Sequence, residues 1–202
     1  MTSTSRVLQF ASFTFDASLL EILTTLTLGA TVCVPSDEDR MNNIAKVIND
    51  MRITWTLLTP SFIQLLRPSE IPSLRTLVLG GEAMSQSHIS IWADKLQLVN
   101  AYGPTECAVV STVNTNMTLT ADPTNMGHAV GSRAFVVDPQ DYNKLVPVGA
   151  VGELVFEGPI LAQSYLNNES KTLEVFIENP SWALSKTASN GAKSRRMYMT
   201  GE

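Results

Sequence analysis

Charge is scarce in this sequence. Only 16% of its 202 residues are Asp, Glu, Lys or Arg, and they sum to a net charge of −5. With 44% hydrophobic residues, that composition excludes a long disordered tail, which needs high charge and few apolar side chains. The negative balance argues against tracking a nucleic-acid backbone, a task for clustered Lys and Arg. Cysteine is nearly absent. Cys33 and Cys107 show no pairing pattern and no metal-ligand spacing, so they read as free thiols in a reducing compartment. The two histidines, His88 and His128, lack ligand partners at i±4 and suit ordinary core or surface roles. No apolar run is long enough to span a bilayer. Residues 1–6 are polar and lack the apolar stretch of a signal peptide. The expectation is a cytoplasmic protein with no nucleic-acid and no membrane partner.

What is present is a rhythm of short apolar strands and helical patterns. Residues 10–15 read as a strand. Asp16-Ala17-Ser18 opens a helix with Leu19, Leu20, Ile22, Leu23 and Leu26 as its apolar positions, and Gly29 stops it. Residues 31–34 form a β-branched run closed by Pro35. Ile44, Val47, Ile48 and Met51 recur at the spacing of one buried helix face. Further strands are expected at residues 54–58, 74–79 and 97–99. Between them lie a short helix after Pro60-Ser61 and another capped by Ser85. This βαβα order predicts an α/β fold with a parallel sheet flanked by helices. From residue 131 the pattern turns to strands at 134–137, 144–148 and 153–157, then a helix at 170–176, a polar loop at 181–196 and a last strand at 196–199. Two parts are expected: an α/β subdomain over residues 1–125, carrying the pocket, and a β-rich subdomain over residues 126–202.

Ligands of open parallel sheets bind beyond the carboxyl ends of the strands. Three segments fall there: Asp16-Ala17-Ser18, Gly80-Gly81-Glu82 and the polar loop Asn100-Ala101-Tyr102-Gly103-Pro104-Thr105-Glu106. In that loop Gly-Pro makes a rigid turn with little bulk. Tyr102 offers a face for stacking on a base, Thr105 a hydroxyl for a phosphate oxygen, and Glu106 a carboxylate for Mg2+, which takes few protein ligands beside substrate phosphates.

The string Asn-x-Tyr-Gly-Pro-Thr-Glu resembles the signature of adenylation domains in the adenylate-forming superfamily. Phe15-Asp16-Ala17-Ser18, Leu79-Gly80-Gly81-Glu82, Val146-Pro147-Val148-Gly149, Gly152-Glu153-Leu154 and Tyr198-Met199-Thr200-Gly201 resemble further motifs of that family, in family order. The resemblance covers nearly the whole chain, and its wording is similar to fungal nonribosomal peptide synthetases.

The resemblance implies that an amino-acid carboxylate attacks the α-phosphate of ATP, and that the acyl group then passes to a phosphopantetheine thiol on a carrier domain. It implies Thr105 and Glu106 as catalytic residues, with Glu106 on Mg2+. It assigns Gly81, Glu82, Asn100, Ala101, Tyr102, Gly103, Thr105 and Glu202 to the nucleotide. It makes Asp16 the anchor of the substrate ammonium, although an Asp there can also simply cap the helix. The specificity pocket would comprise Asp16, Ala17, Leu20, Leu57, Val78, Gly80, Ala101, Val109 and Val110. Apart from Asp16 that set carries no charge, so it should admit a neutral, apolar α-amino acid and reject side chains that lose their solvation without a partner. The implied partners are the amino acid and the carrier and condensation domains of the same synthetase.

The family's lysine-containing phosphate loop and its C-terminal subdomain are not in this sequence, so the chain alone is expected to be inactive. Glu202 stands where an aspartate is usual, Ser164-Tyr165 where Gly-Tyr is usual, and His128 where Arg is frequent. The alternatives are another adenylate-forming ligase, for an acyl-CoA or aryl acid, and a non-catalytic nucleotide-binding remnant. The Lys193-Ser194-Arg195-Arg196 cluster reads as a solvated loop.

Overall fold

The computed structural model describes residues 1–183 and 195–201. The chain forms two compact units, Met1–Gly103 with Thr112–Gly127, and Pro104–Ser111 with His128–Glu202.

In the first unit, β1 (Arg6–Leu8) leads into a helical run of three contiguous pieces: α1 (Ala17–Leu19), a π-helical turn (Leu20–Thr24) and α2 (Thr25–Thr27). Gly29, at φ +67°, ends it. There follow β2 (Thr31–Cys33), α3 (Asp37–Asn42), α4 (Ile44–Asp50), β3 (Trp55–Leu58), α5 (Pro60–Ile63), β4 (Thr76–Leu79), α6 (Gln86–Trp92), β5 (Gln97–Tyr102) and β6 (Thr112–Asn114). Local signals set the helix starts. Ser36 accepts the Asp39 amide at 3.1 Å, and Thr59 accepts the Phe62 amide at 3.3 Å with Pro60 in the first turn. At α6 the Ser85 amide donates to His88 Nδ1 at 3.0 Å, which leaves Nε2–H to face the Pro60 carbonyl at 3.1 Å.

The strands lie side by side in the order β2-β1-β3-β4-β5-β6, parallel except for β6. The order therefore reverses between β1 and β3. Paired residues of a parallel sheet share a face. Leu8, Cys33, Leu58, Leu77, Leu79 and Leu98 all fall on one face, and they form the main core with Ile44, Val47, Ile48, Ile63, Ile89 and Trp92 from α4, α5 and α6. The β1-to-β2 crossover moves in the opposite direction to the others. A right-handed connection then puts the helical run of residues 17–27 on the other face.

Three expectations are corrected here. Residues 10–15 are a loop, because their backbone groups are taken elsewhere. The Glu21 carboxylate accepts the Phe10 amide at 3.0 Å and the Ala11 amide at 3.1 Å, and Arg40 donates to the Phe10 carbonyl at 2.9 Å. The helix of residues 17–27 also does not bury its leucines. Leu19, Leu23 and Leu26 are 54%, 56% and 58% exposed, whereas Ser18, Glu21 and Thr25 are buried at i, i+3 and i+7. The polar stripe is the inner one. β5 also runs further than expected, since Asn100, Ala101 and Tyr102 pair antiparallel with Asn114, Val113 and Thr112.

The second unit contains the short β7 (His128–Ala129) and then β8 (Arg133–Asp138), β9 (Asp141–Leu145), β10 (Glu153–Glu157), α7 (Glu169–Val175), β11 (Phe176–Glu178) and β12 (Arg196–Met199). Its antiparallel sheet has the order β11-β12-β10-β8-β9, with Val137, Val155, Ile177, Ala183 and Met197 as its core. Arg195 and Arg196 are half-buried and bonded rather than freely solvated. Arg195 clasps both oxygens of Glu157 at 2.7 Å, and Arg196 donates to the Ala162 and Gln163 carbonyls and lies over the Phe176 ring. Lys193 and Ser194 lie outside the described residues.

Two predictions follow from the inverted helix. The exposed leucines, with Phe13 and Phe15 also exposed, are expected to make the chain expressed alone self-associate. The double substitution Leu19→Lys, Leu23→Glu is expected to shift it towards monomer in light scattering without lowering helix content. Burial raises the Glu21 pKa from 4.5 to about 7, and the Ala11 and Phe10 amides only partly oppose it. A raised folded-state pKa means that the native chain holds this proton more tightly than the unfolded one. The stability from Glu21 is therefore full below about pH 4.5 and is lost as the pH rises through about 7. Melting curves of Glu21→Gln should gain on the unsubstituted chain between pH 5.5 and pH 8; an unchanged difference would contradict this.

Candidate functional site

The sheet face opposite the main core carries Leu57, Val78 and Val99 in one register row, and Gly80 and Ala101 share their parity on β4 and β5. Four of the residues expected in the specificity pocket, Leu57, Val78, Gly80 and Ala101, are thus neighbours on one face. It is the face to which the crossover rule assigns Ala17 and Leu20. Gly80 is needed there for space, since a Cβ on it would meet the Ala101 carbonyl oxygen at 2.9 Å. Gly81 follows at φ +79°, a conformation that a side chain resists.

Asp16 follows the loop at the carboxyl end of β1, beside the reversal of strand order. Open α/β sheets form a crevice at this position. It stands at the helix start but makes no side-chain capping bond, which removes the capping alternative. Its Oδ2 is buried and has no hydrogen-bond partner. A polar oxygen hidden from water and without a partner among the described residues is costly.

At the end of β4 the Glu82 carboxylate accepts the Ser61 amide at 2.9 Å and the Ser61 hydroxyl at 2.5 Å. Those bonds hold its pKa below the usual carboxylate value and tie the Gly80-Gly81-Glu82 turn to α5. Asn100 is buried and donates to the Pro123 and Asn125 carbonyls, both at 3.2 Å, bracing the chain beside β5. Tyr102 ends β5, half-buried, and Gly103 follows.

Thr105, Glu106, Val109 and Val110 belong to the second unit. Thr105 is exposed, in a single 3-10 turn (Thr105–Cys107). Glu106 is half-buried; its Oε1 accepts the Tyr165 hydroxyl, and its carbonyl accepts the Ala162 amide at 2.8 Å. Tyr165 is bonded in turn to the buried Tyr198, and burial pushes both phenol pKa values up. Ala108 and Val109 follow at φ +49° and +74°. A β-branched residue in that region is strained, a condition that persists only where the surroundings enforce it. Cys107 is a buried free thiol pushed up to about 11 by burial, and Cys33 is also buried and free. Glu202 lies outside the described residues.

Among the described residues no group of three or more His, Cys, Asp or Glu could hold a metal ion. That does not conflict with the expectation of Mg2+ at Glu106, since this ion binds through one or two carboxylates and substrate phosphates rather than in an all-protein cage. No helix among the described residues is long and apolar enough to cross a membrane.

Sequence reasoning missed Glu21 and Gln9. Both are buried polar residues, and Gln9 Nε2 lies 3.3 Å from Glu21 Oε2. The available signal was the polar stripe Ser18, Glu21, Thr25, which the leucine stripe masked.

Residues 1–166 match the family model described as AMP-binding enzyme. The chain is 55% identical over 202 residues to nonribosomal peptide synthetase 4 of Gibberella zeae, covering all of this chain and 3% of that protein. It is 50% identical over 198 residues to N-benzoylphenylalaninol synthetase apmA of Penicillium brevicompactum, covering 98% of this chain and 8% of that protein. The chain therefore spans a small part of the relatives it matches. A solved NRPS protein containing adenylation and PCP domains superposes with a TM-score of 0.80 at 28% identity, over 98% of this chain and 35% of that one. The Vibrio cholerae adenylation domain AlmE, in complex with glycyl-adenosine-5'-phosphate, gives 0.79 at 25% identity, over 99% of this chain and 38% of that one. A sheet whose strand order reverses at β1 and a family match over most of the chain place it: the chain belongs to the AMP-binding enzyme family, among the adenylation domains of fungal nonribosomal peptide synthetases.

Proposed function

We propose that this chain supplies the amino-acid pocket and part of the nucleotide site of a synthetase module that activates a neutral, apolar α-amino acid. The observation that carries the proposal is the orphaned Oδ2 of Asp16. An acyl or aryl acid brings no cation to that oxygen; an amino acid brings its ammonium. The neighbour solved with glycyl-adenosine-5'-phosphate supports the same chemistry.

The substrate carboxylate oxygen attacks the α-phosphorus of ATP. A new C–O–P bond forms as the bond from that phosphorus to the bridging oxygen breaks, and pyrophosphate leaves with the electron pair. The protein's task is positioning and charge balance. Asp16 fixes the ammonium, which aims the carboxylate. Leu57, Val78, Gly80 and Ala101, with Ala17, Leu20, Val109 and Val110, receive the side chain. Gly81, Glu82, Asn100, Ala101, Tyr102 and Gly103 line the adenine side, with Glu202 towards the ribose. Thr105 donates its hydroxyl to the α-phosphate, and Glu106 provides the carboxylate for Mg2+. When bound, that ion neutralises phosphate charge. The acyl group then passes to the phosphopantetheine thiol of a carrier domain, with a condensation domain as the further partner in the same cytoplasmic synthetase.

Pyrophosphate exchange by the whole adenylation domain tests this. Neutral apolar amino acids should support exchange, and aspartate and lysine should not. Asp16→Asn is expected to lower kcat/KM for the amino acid by roughly 30- to several-thousand-fold, the effect of about 2–5 kcal/mol from losing one partner of a buried charge pair. Wild-type values in that variant would overturn the assignment. Glu106→Gln should raise the Mg2+ concentration for half-maximal exchange by at least about tenfold and leave the choice of amino acid unchanged. An unaltered Mg2+ requirement would remove Glu106 from the metal.

A further inference from the structure

We propose that Glu21 is a positioning residue for the amino-acid site: its buried side chain holds the backbone at the start of the loop that presents Asp16. The inference rests on Asp16 as the ammonium anchor.

Glu21 has no exposed surface and stands in the π-helical turn, one residue past Leu20. π-turns occur often at functional sites because the extra residue re-aims a side chain. Oε2 accepts the Phe10 amide at 3.0 Å, the Ala11 amide at 3.1 Å and Gln9 Nε2 at 3.3 Å, and Oε1 accepts the Ala11 amide at 3.2 Å. Gln9 Nε2 also donates to the Ala11 carbonyl at 2.6 Å. Arg40, on α3, holds the Phe10 carbonyl from another element and is the charged group that lowers the Glu21 pKa. The Phe10 ring packs against that of Phe62 on α5, tilted by 54° with the centroids 4.5 Å apart. Among the described residues, the longer-range hydrogen bonds to this loop thus act at residues 9–11.

Beyond that clamp the loop is held only by short-range bonds. The Phe15 amide bonds the Ser12 carbonyl at 2.9 Å, Ser18 Oγ bonds the Phe15 carbonyl at 2.7 Å, and Phe13 and Phe15 are exposed. Asp16 is therefore placed from two sides. On one side is the helix it starts, and on the other is the strand end that Glu21 ties back to that same helix. Burying a carboxylate is unfavourable, yet here one side chain satisfies two part-buried backbone amides of a segment outside any strand. What the position needs is an acceptor oxygen rather than a charge. Gln supplies that oxygen, whereas Met, of similar length, supplies none and Asp is one methylene too short to reach.

The test uses the whole adenylation domain with Glu21→Gln, Glu21→Met, Glu21→Asp and the control Asp16→Asn. Amide hydrogen exchange over residues 9–18 is measured for each. KM for ATP is measured separately from KM for whichever amino acid supports the fastest pyrophosphate exchange in a panel of L-alanine, L-valine, L-leucine, L-isoleucine, L-methionine and L-phenylalanine. In Glu21→Met and Glu21→Asp, exchange over residues 9–18 should accelerate and the amino-acid KM should rise about tenfold, with KM for ATP within about twofold; Glu21→Gln should restore both. Unchanged protection in Glu21→Met and Glu21→Asp overturns the proposal. So does a parallel rise in both KM values, which marks a merely structural role. If Glu21→Met does not fold, the contrast between Gln and Asp decides. Failure of Asp16→Asn to alter the amino-acid KM sinks the anchor reading alone, because the hydrogen-exchange result still judges the clamp.

Discussion

Reversal of strand order between β1 and β3 constrains everything else in the first unit. It sends one crossover to the face that the other helices leave uncovered. It also leaves the carboxyl ends of β1 and β3 diverging, so that chain leaving β1 borders a crevice. Leu57, Val78, Gly80 and Ala101 share that face of the sheet, and Asp16, after the loop that leaves β1, has a buried Oδ2 that nothing among the described residues satisfies. A buried polar oxygen left without a partner is unfavourable, and the ammonium proposed for this site would supply one.

Polar groups organise this side of the molecule, and apolar packing organises the other. Under α4, α5 and α6 the core is Leu, Ile and Val in close contact. On the helical run of residues 17–27, by contrast, the buried positions are Ser18, Glu21 and Thr25, and the leucines face outward. Backbone amides in the β1 loop have no strand to pair with, and Glu21 takes them. In the second unit Glu106 likewise receives the Tyr165 hydroxyl, so both carboxylates are oriented by donors from distant parts of the sequence.

Much of this was legible in the residues. Short apolar and β-branched runs located β2, β3, β4 and β10, the spacing of one helix face located α4, and Gly29 and Ser85 marked helix boundaries, because those signals are local. The family motifs, in their order, named the fold and the chemistry. What escaped was set by distant partners. Residues 10–15 have the composition of a strand, but their amides and carbonyls are claimed by Glu21 and Arg40. The helix at residues 17–27 has a clear apolar stripe, and periodicity alone cannot say that the stripe faces away from the sheet. Arg195 read as part of a solvated loop because its partner Glu157 stands on another strand.

A double comparison addresses the central claim most directly: the substrate amino acid against its analogue lacking the α-amine, each with wild-type domain and with Asp16→Ala. If Asp16 pairs with the ammonium, removing the amine should cost the wild type a large factor in kcat/KM and cost the variant little, because the partner is already gone. Equal losses in the two proteins would show that the amine is recognised elsewhere, and would contradict the account.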